Sequence, residues 1–272
     1  MRHVGILAAG ACVSLALCSC GWVIGTPMSG GRIVDHAMAN TESLPAAGVE
    51  RATRVLDIAY WHTSHGSQLV TGMQGMDEFY GGTGLYALGG ENGLRLVEPE
   101  STDLGADPDW DTTTRDYLAQ HPEVNVVIWS WCGQVSGATE ADIDLYLQRM
   151  TQLETEFPAV RFVYMTGHSD GTGLEGNLHQ RDQQIRQYCE DNGKYLYDFY
   201  DIECYDPDGA YYGDKHVDDG CNYDGGHNWA QDWQAAHPGE WWDCDAAHTE
   251  PLNGNLKAKA AWQLWVRLAA TL

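Results

Sequence analysis

Residues able to perform nucleophilic catalysis lie near both ends of this sequence. Ser64 stands in the segment 62–66, where histidines lie on both sides of it and a glycine follows. Residues 243–248 contain the pattern Asp-x-x-His, formed by Asp245 and His248. A serine attacks an acyl carbon when a base removes its proton, and a carboxylate can hold that base in the required orientation. The pattern therefore predicts Ser64 as nucleophile, His248 as general base and Asp245 as the residue that orients the imidazole.

The same residue types permit other assignments. Ser67 is an alternative nucleophile, and Ser64 could instead cap the start of a helix. His168 follows an apolar run in the segment 165–171, so it could contact substrate, replace His248 as the base or serve as a hydrogen-bonded structural residue. The sequence leaves these alternatives open.

Alternating strands and helices are expected to position these side chains. Runs of apolar residues predict five strands, at residues 55–60, 94–97, 124–129, 160–165 and 195–199. Apolar residues at helical spacing predict helices at residues 112–120, 141–157, 178–192 and 256–272. This alternation favours a single α/β domain with a parallel sheet covered by helices on both faces. Such a sheet gathers its chemistry at the carboxyl ends of the strands, where Ser64 and His168 stand.

A serine after the first strand, together with Asp-x-x-His before the last helix, resembles the SGNH (GDSL-like) serine hydrolases. The resemblance covers residues 55–270, although the Gly-Asp-Ser-Leu motif of the family is absent. It implies a three-layer α/β/α sandwich with a parallel, flavodoxin-like central sheet. It also implies carboxylic ester hydrolysis through a triad of Ser64, His248 and Asp245, without a metal or another cofactor.

The resemblance also implies an oxyanion hole. The family's second block, a glycine whose backbone N–H serves that hole, falls on Gly105, before a helix and the strand at 124–129. Its third block, Gly-x-Asn-Asp, is replaced here by Trp-Cys-Gly-Gln at residues 131–134, so Gln134 stands in place of the family's asparagine. The implied donors to the tetrahedral intermediate are the N–H groups of Ser64 and Gly105 and the side-chain amide of Gln134.

An aromatic-rich insertion at residues 205–243 precedes Asp245 and is the best indication of the substrate. Aromatic faces among hydrogen-bonding side chains suit sugar rings, which favours an O-acyl ester of a carbohydrate, in particular an acetyl ester. The residues expected to contact that substrate are His65, Trp131, His168, Trp229, Trp233 and Trp241. The alternative is that the tryptophans form a small satellite core under a loop closed by Cys221 and Cys244.

The first residues of the chain predict export. Arg2 precedes an apolar stretch at residues 6–17 that is too short to span a bilayer and suits the core of a signal peptide. Residues 17–20 are similar to a bacterial lipobox, which makes Cys20 the lipid anchor of an envelope lipoprotein, either periplasmic or on the cell surface; soluble secretion is the alternative. The expected organisation is a signal peptide, a flexible tether and one hydrolase domain, at residues 1–19, 20–50 and 51–272.

Cysteine and histidine usage bears on disulfides and metals. Export permits disulfides, and two are expected among Cys189, Cys204, Cys221 and Cys244. Cys132, after a strand, is expected to be a buried free thiol. A metal-dependent hydrolase is an alternative that would use His62, His65, His168 and Asp170. No helical His-x-x-x-His pair supports that alternative, and no metal is expected.

The composition excludes several partners. Lys and Arg number 15 against 39 Asp and Glu, a formal charge of −24 that repels nucleic acid and anionic lipid surfaces alike. We therefore expect an exported serine esterase that acts on acylated glycans or other small esters and touches the membrane only through its lipid anchor. The alternative is a catalytically inactive carbohydrate-binding lipoprotein with the same fold, whose ligand affinity would not depend on Ser64.

Overall fold

The computed structural model describes Met1, residues 31–39 and residues 44–272. The predicted signal peptide, apart from Met1, and the predicted anchor Cys20 lie outside the described residues. Among those described, no helix is both long enough and apolar enough to cross a membrane.

Six parallel strands form the central sheet. They are β1 (Ile33–Val34), β2 (Asp57–Trp61), β3 (Arg95–Val97), β4 (Val126–Trp129), β5 (Arg161–Met165) and β6 (Tyr195–Tyr197). Their order across the sheet is β1-β6-β5-β4-β2-β3, and every neighbouring pair is parallel. All four residues of β4 are buried, as expected for a strand covered on both faces. The predicted α/β class with a parallel, flavodoxin-like central sheet is confirmed.

Helices cover the sheet in two layers. They are α1 (Ala46–Val55), α2 (Ser64–Phe79), α3 (Trp110–Gln120), α4 (Glu140–Glu156), α5 (Asn177–Asn192), α6 (Phe199–Glu203), α7 (Trp229–Ala236) and α8 (Pro251–Ala269). In one layer α8 packs against α1 and α2, and in the other α4 packs against α3 and α5. The four helices predicted from periodicity are all present. The last of them, α8, begins earlier than predicted, at Pro251, because a proline fits the first turn of a helix without losing a hydrogen bond.

Part of the predicted tether belongs to the domain. Ile33–Val34 pairs with Leu196–Tyr197 and extends the sheet at one edge. Val34 in this strand and Val49 in α1 are fully buried. The tether predicted at residues 20–50 is therefore wrong for its described part. β1 has only two residues, and α1 follows a segment rich in glycine, proline, serine and alanine, so their place in the domain is clear only from their tertiary contacts.

The strand order creates a crevice above the carboxyl ends of β2 and β4. The chain passes from β2 to β3 on one side of β2 and then returns to β4 on its other side. Open parallel sheets bind ligands where the strand order reverses in this way, because the loops that follow the two strands diverge. These loops carry residues 62–65 and 130–134, and the loop after β5 adds His168.

Gly72 allows α2 and α8 to approach each other closely. A Cβ added to Gly72 would lie 2.1 Å from the carbonyl oxygen of Gly254, which is closer than such atoms can come. Since α2 begins at Ser64 and α8 begins three residues after His248, this crossing places two predicted catalytic segments relative to each other.

Replacing Gly72 by alanine is expected to destabilise the domain by about 1–3 kcal/mol, because the added methyl group forces two helix backbones apart. Urea unfolding followed by circular dichroism measures the loss. Gln74→Ala changes an exposed residue of the same helix and is the control, with an expected effect below about 0.5 kcal/mol. A Gly72→Ala protein as stable as Gln74→Ala would contradict the close approach.

Candidate active site

A thiol, an imidazole and a carboxylate form one line of hydrogen bonds in the crevice. The Sγ of Cys132 lies 3.1 Å from Nδ1 of His65, and Nε2 of His65 lies 2.9 Å from a carboxylate oxygen of Asp219. His65 is the second residue of α2, Cys132 follows β4, and Asp219 lies in the loop before β7 (Asn222–Tyr223). A nucleophile, a base and a group that orients the base have this arrangement in catalytic triads.

The surroundings of His65 favour its neutral form. Burial lowers the pKa of His65, and this effect outweighs the hydrogen bond with Asp219, which raises it. Burial raises the pKa of Asp219, but the hydrogen bond with His65, the nearby imidazoles and the Gly220 N–H together outweigh burial and leave this pKa below its usual value. Ionised Asp219 can only accept hydrogen bonds, so it places the imidazole proton on Nε2. The Nδ1 atom is then free to accept the proton of the Cys132 thiol.

Two further imidazoles stack on His65. Its ring centroid lies 3.8 Å from that of His168 and 4.4 Å from that of His248, with ring planes 1° and 13° apart. Two rings cannot both lie flat on one face at these distances, so His65 lies between them. We call these three rings the imidazole stack. Nδ1 of His168 bonds the carbonyl oxygen of Ser169 at 2.8 Å, and its buried Nε2 has no partner among the described residues.

Ligand atoms for a metal ion are also present in this cluster. One donor atom each from His65, Asp219 and His248 lie within 4.8 Å of one another. A metal ion binds in the plane of an imidazole, at about 2.0–2.1 Å from its nitrogen. The rings of His65 and His248 lie in nearly parallel, stacked planes, so a single ion cannot lie in both. The geometry therefore favours nucleophilic chemistry over metal-assisted chemistry here.

A second group of possible metal ligands lies at the β1 edge of the sheet. It consists of Asp35, His36 and Asp201. Nδ1 of His36 lies 2.5 Å from one oxygen of Asp201, and Arg186 lies 3.2 Å from the other. These two contacts already satisfy the carboxylate, so this group fastens α6 to the edge of the sheet.

Ser64 lies beside the thiol, at the first position of α2. Its Oγ is 3.9 Å from the Sγ of Cys132. His248 belongs to the imidazole stack and has no hydrogen bond with Ser64 among the described residues. Asp245 is exposed and has none with His248 there. The structure thus brings Ser64 and His248 to one crevice, but it contains no hydrogen-bonded line from Asp245 through His248 to Ser64. The rival nucleophile Ser67 has its hydroxyl bonded to the Ser64 carbonyl oxygen inside the helix, at 2.7 Å.

The other predicted oxyanion donors lie together but point to a carboxylate of the protein. Gly105 packs so closely against Gln134 that no Cβ fits between them. The Gly105 N–H and the Gln134 side-chain amide both donate to Oδ1 of buried Asp103, at 2.9 and 3.2 Å. Their assignment to an oxyanion hole is therefore corrected, because the Gly105 N–H and one N–H of the Gln134 amide already donate to Asp103. The N–H of Ser64, at the positive end of α2, has no partner within the described residues.

Two of the four predicted substrate-binding tryptophans face the protein interior. Trp131 and Trp229 are 9% and 1% exposed, so both are core residues and their assignment to the substrate is corrected. Trp233 and Trp241 are half-buried, and both donate their indole N–H to protein oxygens. The segment 205–243 contains β7, β8 (His227–Asn228) and α7, and packs partly as a satellite of the core.

The predicted disulfides are absent among the described residues. All five described cysteines are free, namely Cys132, Cys189, Cys204, Cys221 and Cys244. Burial raises the pKa of Cys221 to about 12 and that of Cys244 to about 11, so these thiols stay protonated at neutral pH. Cys132 differs from them because it is partly exposed at the crevice and bonded to an imidazole.

A buried polar network runs beneath the imidazole stack. Lys257 on α8 and Glu203 on α6 form an ion pair at 2.6 Å, with both side chains fully buried. Lys257 also donates to the side-chain oxygen of Gln68 in α2, whose amide donates to the carbonyl oxygen of Ala247. Glu203 accepts from the N–H and the hydroxyl of Ser169, at 2.6 and 2.9 Å. In the sequence, Gln68 lies three residues after His65. Ser169 directly follows His168, and Ala247 directly precedes His248.

Several of these residues were not expected from the sequence to act in the site. Cys132 follows the apolar strand β4, so the rule that selected Ser64 also points to Cys132 as a candidate for chemistry. Asp219 lies in a segment without periodicity, and Lys257 lies on a helix that is buried almost throughout. Asp219 and Lys257 are therefore recognised as parts of the site only from the packing of the folded chain.

Comparison of the chain with protein-family models finds no match, and comparison with curated proteins finds no significant relative. The function of the protein is therefore inferred from the geometry of its site.

Lys257→Met is expected to destabilise the domain by about 3–5 kcal/mol, because Glu203 would stay buried without its cation. The double variant Lys257→Met/Glu203→Gln removes both charges and is expected to be more stable than the single variant. Urea unfolding of both proteins measures the difference. A single variant as stable as the double variant would show that an unpaired Glu203 carries no such cost.

Proposed function

We propose that this protein hydrolyses acyl esters through a covalent acyl-thiol intermediate on Cys132. The observation that carries the proposal is the hydrogen-bonded line from Cys132 through His65 to Asp219, located in the crevice of the sheet. Ester hydrolysis is also the activity implied by the resemblance to SGNH hydrolases. The proposed nucleophile and base differ from that pattern.

In the first step the thiol attacks the ester. The Cys132 proton moves to Nδ1 of His65, and the sulfur forms a bond to the carbonyl carbon. The tetrahedral intermediate collapses by expelling the alkoxide, which takes the proton from His65 and leaves as an alcohol. Asp219 stays ionised throughout and stabilises the transient imidazolium.

In the second step water releases the acyl group. His65 takes a proton from the water, the resulting hydroxide attacks the thioester, and the sulfur leaves and regains the proton. The products are a carboxylic acid and the free thiol. In both steps the negative oxygen is stabilised by the Ser64 N–H and the positive end of α2, which starts beside the sulfur.

We further propose short O-acyl esters of polar alcohols, such as acetylated sugars, as substrates. The partly exposed side chains of the crevice are polar, including Ser64 beside the sulfur and Asp219 on the far side of the His65 ring, and they suit a small acyl group better than a fatty chain. Trp233 and Trp241 are the two predicted tryptophans that keep partial exposure and could pack on a sugar ring.

Cys132→Ala is expected to reduce the kcat for p-nitrophenyl acetate by about 10³-fold or more, because the acyl-thiol intermediate cannot form. Ser64→Ala is expected to lose far less, since alanine keeps the N–H that serves the oxyanion. Cys244→Ala removes a protonated thiol elsewhere and is the matched control, with the wild-type rate expected. Mass spectrometry of a rapidly quenched reaction should find the acetyl group on Cys132.

The opposite order of activities in the two variants would identify a different nucleophile. Turnover lost with Ser64→Ala but retained with Cys132→Ala would assign the nucleophile to Ser64, as the resemblance implies. Absence of turnover in the wild type would contradict the proposal and favour the carbohydrate-binding alternative.

The pH dependence tests the base. His65 must be neutral to act as the base, and burial lowers its pKa. The kcat/KM is therefore expected to rise with pH, with a midpoint below 6.5, and then to reach a plateau. Asp219→Asn removes the contact that raises this pKa, so the midpoint should move further down, and the plateau should fall by about 10²–10⁴-fold. Glu123→Gln, at an exposed carboxylate outside the crevice, is the control. An unchanged profile in Asp219→Asn would remove Asp219 from the mechanism.

A further inference from the structure

The buried carboxylate of Asp103 joins the two loops that carry the thiol and the imidazole. Asp103 is 1% exposed. Its Oδ1 accepts hydrogen bonds from the N–H groups of Gly105 and Ala106, at 2.9 and 2.8 Å, and from the amide of Gln134 at 3.2 Å. Its Oδ2 accepts from the hydroxyl of Thr63. Burying a carboxylate is costly unless its oxygens are hydrogen-bonded, so these donors and the carboxylate hold one another in place.

Two of these hydrogen bonds hold the segments that carry His65 and Cys132. Thr63 directly precedes α2, so its bond to Asp103 fixes the start of the helix that carries His65. Gln134 accepts the N–H of Cys132 through its side-chain oxygen, at 2.9 Å. The bond between Gln134 and Asp103 therefore fixes the loop that carries the sulfur.

The other two hydrogen bonds are local. The Gly105 and Ala106 N–H groups belong to the turn that Asp103 begins, and such a turn needs no partner from other loops. Thr63 and Gln134, in contrast, lie 40 and 31 positions away from Asp103 along the chain. Capping of a turn accounts for the local pair of hydrogen bonds but does not account for the pair that connects the loops.

We propose that Asp103 is a positioning residue that sets the distance between Cys132 and His65. The proposal rests on the proposed function, in which His65 takes the thiol proton across the 3.1 Å contact. One oxygen of Asp103 holds the loop of the nucleophile and the other holds the helix of the base. A displacement of about 1 Å between reacting groups can cost about 10²-fold in rate.

The test breaks one hydrogen bond without changing the size of the side chain. Thr63→Val is expected to slow the alkylation of Cys132 by iodoacetamide by about tenfold at neutral pH, because the imidazole that takes the thiol proton is displaced from the sulfur. It should also lower kcat for the ester by about 10–10²-fold with little change in KM. Thr63→Ser restores the hydroxyl and should recover both rates. Thr71→Val is the matched control, because that hydroxyl bonds the Ser67 carbonyl oxygen within α2.

Variants of Asp103 test the other side of the contact. Asparagine keeps an acceptor for the Gln134 amide and offers an N–H to the Thr63 hydroxyl, so Asp103→Asn should recover most of the alkylation rate. Asp103→Ala keeps none of these hydrogen bonds and should resemble Thr63→Val. Should Asp103→Ala fail to fold, as judged by thermal unfolding, the comparison of Thr63→Val with Thr63→Ser decides the question.

The alkylation of Cys132 reports its contact with His65 without any ester. If Thr63→Val keeps the wild-type alkylation rate, Asp103 only caps its turn and the positioning proposal is overturned. If alkylation changes as expected while no variant or wild-type protein turns over an ester, the positioning role stands and the proposed reaction fails.

Discussion

The fully buried ion pair between Lys257 and Glu203 is the contact around which the site is arranged. Charges removed from water are tolerated only when their remaining hydrogen-bonding capacity is also satisfied. Here Gln68 also accepts a hydrogen bond from the ammonium group, whose Nζ lies over the ring of Phe199, and Ser169 donates twice to the carboxylate. These partners come from α2 and from the loop after β5. The hydrogen bonds that satisfy the buried charges therefore hold these separate segments against α8. The last helix, α8, therefore helps to define where the three imidazoles lie.

Electrostatics at the crevice explain why the start of α2 is important for the proposed chemistry. The chain carries a formal charge of −24, and the carboxylates of Asp219 and Glu203 lie close to His65. A thiolate or an oxyanion is unfavourable among such groups unless positive potential compensates for it. The N-terminus of a 16-residue helix supplies that potential, and it does so beside the Cys132 sulfur without a cationic side chain. A neutral His65 fits this setting, because it gains charge only while the proton is in transfer.

The observed site uses the crevice that the resemblance to SGNH hydrolases implies, but it connects the residues differently. Gly105 and Gln134 come together as that resemblance implies, and an internal carboxylate, Asp103, then occupies their hydrogens. His248 reaches the crevice and joins a stack of imidazoles instead of pairing with Asp245. The topology of the sheet thus brings these residues to one edge, whereas the hydrogen bonds decide which side chains are paired there.

The sequence by itself determined the class of the fold, the main strands and helices, and the edge at which Ser64 and His168 would meet, because apolar periodicity is a property of neighbouring residues. It missed β1 and α1, whose place in the domain depends on contacts with β6 at the sheet edge and with α8. Only the tertiary structure decided that Cys132 pairs with His65 and His65 with Asp219, contacts that span 67 and 154 positions of the chain. No local pattern encodes such partners, since their distances are fixed by how loops from different strands pack over buried charges.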